Sequence, residues 1–126
     1  MGYRSEVAYA VKFKDKEHRI RFMAVQALNP HLDLTEFRLF NDDIIIFHVE
    51  EYKWYDEYAY VKAHNQLLKD AEAQECGWEF SRVGEEHDDI VYDCGDDGGL
   101  GLIEVYTSVH IGGMEDSVAY PIGEQL

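Results

Sequence analysis

Twenty-six Asp and Glu side chains stand against 11 Lys and Arg in a chain of 126 residues, so carboxylate chemistry comes first. Carboxylates can transfer protons, hold a cation or build a charged surface. A general acid needs a pKa raised by its surroundings, and among so many acids close pairs arise by chance. Glu85-Glu86-His87-Asp88-Asp89 and Asp93-Cys94-Gly95-Asp96-Asp97 come nearest to cation loops, but neither follows the D-x-[DN]-x-[DN]-G pattern that surrounds calcium with oxygens. Two charged turns explain both segments, because Asp and Gly favour turns locally. Gly98-Gly99-Leu100-Gly101 falls short of a phosphate loop: Glu104 stands where G-x-G-x-x-G needs glycine, and Asp96 and Asp97 would repel phosphate. Ser5, Ser81 and Ser108 have no G-x-S-x-G elbow around them. His48, inside an apolar run, reads as a packed and hydrogen-bonded histidine. Cys76 and Cys94 fit no metal spacing and read as free thiols of a reduced compartment. No catalytic residue, cofactor or metal is expected, and the chain is not read as an enzyme.

The third use of carboxylates, a charged surface, is left. The net charge is −15, and it is uneven: residues 1–35 carry +2 and residues 36–126 carry −17. Such a field repels nucleic acid and anionic membrane and attracts cationic surfaces. Its size exceeds the magnitude of about 2 to 8 that keeps a small domain soluble. Tyr52, Trp54, Tyr55, Tyr58 and Tyr60 add an aromatic cluster too dense for one helical face to bury, so some of Tyr52, Tyr55 and Tyr60 should be exposed as interface anchors.

The elements that must position these groups follow from periodicity. Val7, Tyr9, Val11 and Phe13 alternate with Ala8, Ala10, Lys12 and Lys14, the pattern of a strand. From Lys16 to Leu28 the period changes, with Ile20, Met23, Ala24, Ala27 and Leu28 forming a helical stripe that Asn29-Pro30 ends. Phe37 and Leu39 lead into a turn at Asn41-Asp42-Asp43, and Ile44–Val49 reads as a central strand. Asp56 and Glu57 suit the start of a second helix running to about Glu75, with Tyr58, Val61, Leu68 and Ala71 inward and Gly77 as its stop. Strands are expected at Trp78–Ser81, Ile90–Cys94 and Leu100–Ile111, with a loosely held tail from Gly112. One α+β domain results, read as a ferredoxin-like split βαβ with an extra C-terminal hairpin: a mostly antiparallel sheet with two helices on one face. The expected core is Val7, Tyr9, Val11, Ile20, Met23, Leu28, Ile44, Ile46, Phe47, Val61, Leu68, Trp78, Phe80 and Ile103. No apolar run approaches the roughly 20 residues that cross a bilayer, and the start lacks a signal-peptide pattern, so a cytosolic protein is expected.

Gly2-Tyr3-Arg4-Ser5-Glu6-Val7 resembles the G-Y-R-S-[DE]-V start of a family of small, mostly uncharacterised proteins of tailed bacteriophages. Trp54-Tyr55-Asp56 is similar to that family too, as are Phe80-Ser81-Arg82-Val83-Gly84-Glu85 and Asp88-Asp89-Ile90, so the likeness spans most of the chain. The resemblance implies phage origin, hence the host cytoplasm, and no established activity. By analogy, small acidic phage proteins often copy the charge layout of DNA and block host enzymes that handle it. The spacing is compatible: phosphates two steps apart along a duplex strand rise ~7 Å, and carboxylates at i and i+2 of a β-strand lie roughly 6.8 Å apart.

The expected function is therefore inhibition of a host DNA-handling protein with a basic groove, such as DNA gyrase, a restriction or CRISPR effector, or RNA polymerase. The alternative is a phage adaptor or assembly protein binding through its aromatic patch, and a homodimer is compatible with either. The acids expected to meet the partner are Asp42, Asp43, Glu50, Glu51, Asp56, Glu57, Asp70, Glu72, Glu85, Glu86, Asp88, Asp89, Asp96 and Asp97. They should form one acidic side made of the second helix and the turns at 42–43, 85–89 and 96–97. Reversing Glu85, Glu86, Asp88 and Asp89 to Lys is expected to leave the fold intact, since exposed turn charges add little stability.

Overall fold

A computed structural model describes residues 2–86, 88–95, 100–105, 109–112 and 117–121, and among these it has eight strands, two α-helices and one 3-10 turn. Their order is β1 (Ser5–Lys12), α1 (Lys16–Gln26), the 3-10 turn Leu34–Glu36, β2 (Phe37–Phe40), β3 (Ile44–Tyr52), α2 (Ala59–Ala73), β4 (Gly77–Val83), β5 (Ile90–Cys94), β6 (Ile103–Val105), β7 (Val109–Ile111) and β8 (Val118–Ala119). Six strands form an antiparallel sheet in the order β5-β4-β1-β3-β2-β8, and β6 and β7 form a separate hairpin. Each helix joins two strands separated by one place in the sheet. α1 leads from β1 to β2 with β3 between them, and α2 from β3 to β4 with β1 between them. The α+β class, the two helices and the antiparallel sheet agree with the periodicity of the sequence.

The period of two in β1 sorts two cores. Val7, Tyr9 and Val11 face the helices and join Phe22, Met23, Phe37, Phe47, Leu67 and Trp78. Ala8 and Ala10 face the other way, with Ile44, Ile46, Val83, Ile103 and Val109. Both helices thus cover one face and the β6–β7 hairpin covers the other. The small alanines leave room for the hairpin to approach closely. Leu100–Ile111 is accordingly two short strands folded back on the sheet rather than one strand. The tail, expected to be loosely held, places β8 beside β2, with Arg38↔Ala119 and Leu39↔Val118 in register.

One buried carboxylate fastens the hairpin. Glu79 lies on β4, directly opposite Ala10, and is fully buried. Its Oε1 accepts from the Leu102 and Ile103 backbone N–H groups at 2.8 Å each, and its Oε2 from Leu100 N–H and Tyr92 O–H at 3.0 Å each. Burial and the neighbouring carboxylate push Tyr92 up to about 12, so its hydroxyl stays a donor at neutral pH. A second carboxylate, Glu6 on β1, accepts from Val109 N–H at 3.2 Å.

α1 is turned from the expected stripe. Asp15 caps it by accepting His18 N–H at 2.8 Å, and its buried residues are Arg19, Phe22, Met23 and Gln26. Ile20 is only partly buried and Leu28 is 82% exposed, because the helix ends at Gln26. The buried cation explains the rotation. Arg19 donates from Nε to the Asp42 carbonyl at 2.7 Å, and its guanidinium stacks on the Tyr120 ring at 5.3 Å. Phe80, the remaining expected core residue that is not fully buried, packs partly covered against the helix-side core.

The stop of α2 is Glu75 rather than Gly77, which opens β4. Glu75 has φ +62° and donates its N–H to the Glu72 carbonyl, while Cys76 N–H reaches the Ala71 carbonyl. This pair of bonds closes the helix end in the way that usually calls for glycine. Among the described residues, no helix is long and apolar enough to cross a membrane.

Two consequences can be measured by urea denaturation. Glu75→Gly should raise stability by about 1 kcal/mol, since glycine carries no steric penalty at positive φ. Glu79→Ala should lower it by on the order of 3 kcal/mol, because several backbone donors under the hairpin lose their acceptor together.

Candidate functional site, an acidic end with an aromatic groove

Strand register decides which acids meet. Ser5↔Tyr52 and Glu6↔Val83 bring the start of β1, the end of β3 and the end of β4 together. The β4–β5 turn and the segment leading into α2 belong to that same end. It collects Glu6, Glu50, Glu51, Asp56, Glu57, Glu85, Glu86, Asp88 and Asp89 around Arg4, Lys53 and Arg82. A bulge shapes it: between Ser5/Val7 on β1 and Tyr52/Val49 on β3, β3 carries one extra residue, with Glu51 at φ +58°. Sequence periodicity ends this strand at Val49. The bulge lets pairing resume and carry the chain to Tyr52.

The other expected acids lie elsewhere. Asp42 and Asp43 occupy the β2–β3 turn at the opposite end, where Asp43 accepts Phe13 N–H and Asp42 accepts Arg19. Lys12 pairs with Ile44 and Gly77 at that end, so basic residues of the first third mix with acids there. Asp70 is half-buried and accepts from Gln26 and Gln66 on the helix face. Glu72 is exposed near the end of α2. Asp96 and Asp97 lie outside the described residues. The single acidic side expected from the sequence is thus an acidic end, with Asp42, Asp43, Asp70 and Glu72 away from it.

Within that end, the turn after β4 is tied to the N-terminal segment. Asp89 forms a paired bond with Arg82 at 3.0 and 3.1 Å and accepts Tyr3 O–H at 2.6 Å. The Arg82 guanidinium, aided by Tyr3, holds the Asp89 carboxyl below its ordinary range. Glu86 N–H donates to the Tyr3 hydroxyl, and Glu85 accepts Arg4 N–H. A Cβ on Gly84 would collide with Asp89 and Tyr3, so glycine permits this close approach. Asp89 and Glu85 are therefore structural, and reversing them would unlock the turn. Glu86 and Asp88 remain exposed acids without such duties.

The tyrosines are half-buried rather than exposed. Tyr52 donates to Glu36, and that carboxylate, with burial, raises the phenol to about 12. Tyr60 donates to the Lys53 carbonyl, and the Tyr55 hydroxyl accepts Tyr3 N–H. Aromatic rings meet edge-on or tilted in a chain, Tyr55–Tyr58–Tyr60–Trp54, that ends on His64. His64 is 1% exposed, 4.2 Å from the Phe47 ring, and bonded to the Tyr9 hydroxyl at 2.6 Å. Burial drives its pKa down to about 4. Sequence periodicity did not mark it, because a polar residue on an inner stripe looks like a helix-surface position.

Two cavities flank the turn. One, of about 400 Å³, is lined by Arg4, Glu6, Glu50, Glu51 and Glu85. Beside it, Glu6 Oε2 meets His48 Nε2 at 2.7 Å, and donor atoms of Glu6, His48 and Glu50 all lie within 4.8 Å of one another. The other, of about 570 Å³, lies between α2 and β5, with Trp54, Tyr55 and Phe80 beneath Asp56, Glu57 and Asp89. A further hollow of about 310 Å³ over Trp78 and Leu68 shares Asn65, Phe80 and Val91 with it. Edge strand β5 bounds this groove and exposes Ile90, Val91 and Tyr92. Cys76 is buried, its thiol pushed up to about 11 by that burial, and Cys94 is partly covered on β5.

These features define a small α+β domain with a hydrogen-bonded, acidic, aromatic-backed end. No family model, characterised protein or solved structure matches the chain.

His64 gives this end a pH signature. Its folded pKa lies below the 6.5 of a free imidazole, so the unfolded chain takes up the proton first. The stability due to neutral His64 is complete above pH 6.5 and is lost as pH falls toward 4, about 3 kcal/mol in all. Stability measured from pH 7 to 4 should fall more steeply in the native chain than in Tyr9→Phe/His64→Phe, which removes both partners.

Proposed function

We propose that this chain is a small acidic phage protein that inhibits a host DNA-handling protein by occupying its basic groove. The observation that carries the reading is the gathering of exposed carboxylates at one end, on strand ends and a turn locked by Tyr3, Arg82 and Asp89. A rigid array gains more from docking than a floppy one, because little ordering cost remains to be met on binding. A protein that displaces counterions from DNA would find comparable negative charge here. Phage origin rests on the resemblance of Gly2–Val7 and the segments around Trp54 and Phe80.

A second reading has its own observation. The groove floored by Trp54, Tyr55 and Phe80 beside the exposed edge of β5 favours an adaptor that grips a protein segment through apolar contact.

Host proteins captured on the immobilised chain should include one that binds duplex DNA, with DNA and the chain competing. Affinity should fall steeply as salt rises. Asp56→Lys, Glu57→Lys, Glu86→Lys and Asp88→Lys together should abolish binding, while Asp89 and Glu85 are kept so that the fold survives. Binding that ignores both salt and this reversal would instead establish the adaptor reading.

A further inference from the structure

We propose that Glu6, His48 and Glu50 form a binding site for one divalent transition-metal ion, with Zn²⁺ best suited to the donors. The three residues are far apart in the chain, and linear spacing gives no hint of them. The antiparallel pairing of β1 with β3 sets Ala8 opposite His48, which brings Glu6, two residues before Ala8, and Glu50, two residues after His48, across from each other at one side of the imidazole. Their ligand atoms converge within 4.8 Å. Both strands are central in the sheet, so the frame beneath the site is rigid.

A plain His48–Glu6 pair accounts for two of these residues but not the third. It needs one carboxylate, yet Glu50 is aimed at the same spot, and Glu51 and Glu85 line the adjoining cavity. Like charges brought this close oppose one another, and a cation bound between them relieves that opposition. Arg4 lines the same cavity, with one guanidinium N–H spent on the Glu51 carbonyl at 2.9 Å. One imidazole nitrogen with two carboxylates is a borderline-soft set that suits zinc better than magnesium or calcium.

The support around the donors fits as well. Glu6 spends Oε1 on Val109 N–H, which orients the carboxylate and leaves Oε2 toward His48. Ligands around zinc lie roughly 3.4 Å apart, given bonds of about 2.0–2.1 Å in a tetrahedron. Glu50 is exposed, so its side chain can close that distance by rotation. The adjoining cavity of about 400 Å³ leaves room for a fourth ligand from solvent.

Titration of the metal-stripped full chain with Zn²⁺ by calorimetry should give one site per molecule. Co²⁺ in its place should give visible absorption bands of a low-coordinate centre. Glu50→Gln and His48→Ala should each weaken Zn²⁺ binding by about tenfold or more. Glu50→Gln, at an exposed position, keeps the test decisive if His48→Ala does not fold. No saturable binding at about millimolar Zn²⁺, or an isotherm that Glu50→Gln leaves unchanged, would overturn the proposal.

Discussion

A carboxylate taken out of water is costly unless its oxygens are met by donors, and Glu79 meets that requirement with four. The arrangement works in both directions. Glu79 tolerates the middle of the sheet only because Leu100, Leu102 and Ile103 present their N–H groups to it. Those residues lie flat on the alanine face only because a strong acceptor waits there. The hairpin then covers Ala8, Ala10, Ile44 and Ile46, a surface the helices cannot reach from the opposite face. Glu6 repeats the device at Val109 nearer the acidic end, so two strand carboxylates hold one short hairpin. Without them a two-stranded unit of this size would be marginal in water.

The same sheet separates charge along its length. Acids of the β3 bulge, the β4–β5 turn and the approach to α2 gather where β1 begins. Lys12, Arg19 and the acids of the β2–β3 turn sit where β1 ends. The electrical asymmetry of the sequence, basic first third against acidic remainder, therefore becomes a difference between two ends rather than two faces. At the acidic end, rings from Tyr55 to Trp54 back the charged rim, and the hydroxyls of Tyr52, Tyr60 and Tyr55 are spent on Glu36, Lys53 and Tyr3. Aromatic area there stiffens the site and leaves the outermost surface to carboxylates.

Much of the fold was legible because strong periodic signals govern it. The alternation in β1, the β-branched run of β3 and the Val61, Leu68 and Ala71 stripe of α2 name their elements correctly. The start of α2 differs: it begins at Ala59, after Asp56 and Glu57, and leaves Tyr58 outside as its half-buried N-cap. Misreadings occurred where a polar side chain took a buried position. Arg19 and Gln26 share the buried side of α1 with Phe22 and Met23, Ile20 is turned partly outward, and Leu28, past the helix end, is left in solvent. Glu79 alternates with Trp78 and Phe80 as a solvent-facing residue would, and only the hairpin packed over it reveals otherwise. Glu75 stands at positive φ where the sequence offers Gly77 two residues later. The candidate site was readable as a composition, not as an arrangement. Acids could be counted, but only the register shows that Asp42 and Asp43 part from Glu85–Asp89, and that Glu6, His48 and Glu50 converge.

The dependence of the C-terminal third on buried strand carboxylates is the claim on which the rest stands. Amide hydrogen exchange at single-residue resolution tests it most directly. Leu102 and Ile103 should exchange as slowly as the central residues of β1, with Leu100 and Val109 also protected, because their N–H groups are bonded to Glu79 and Glu6 rather than to water. Rapid exchange at these four amides in the native chain, while β1 stays protected, would contradict it.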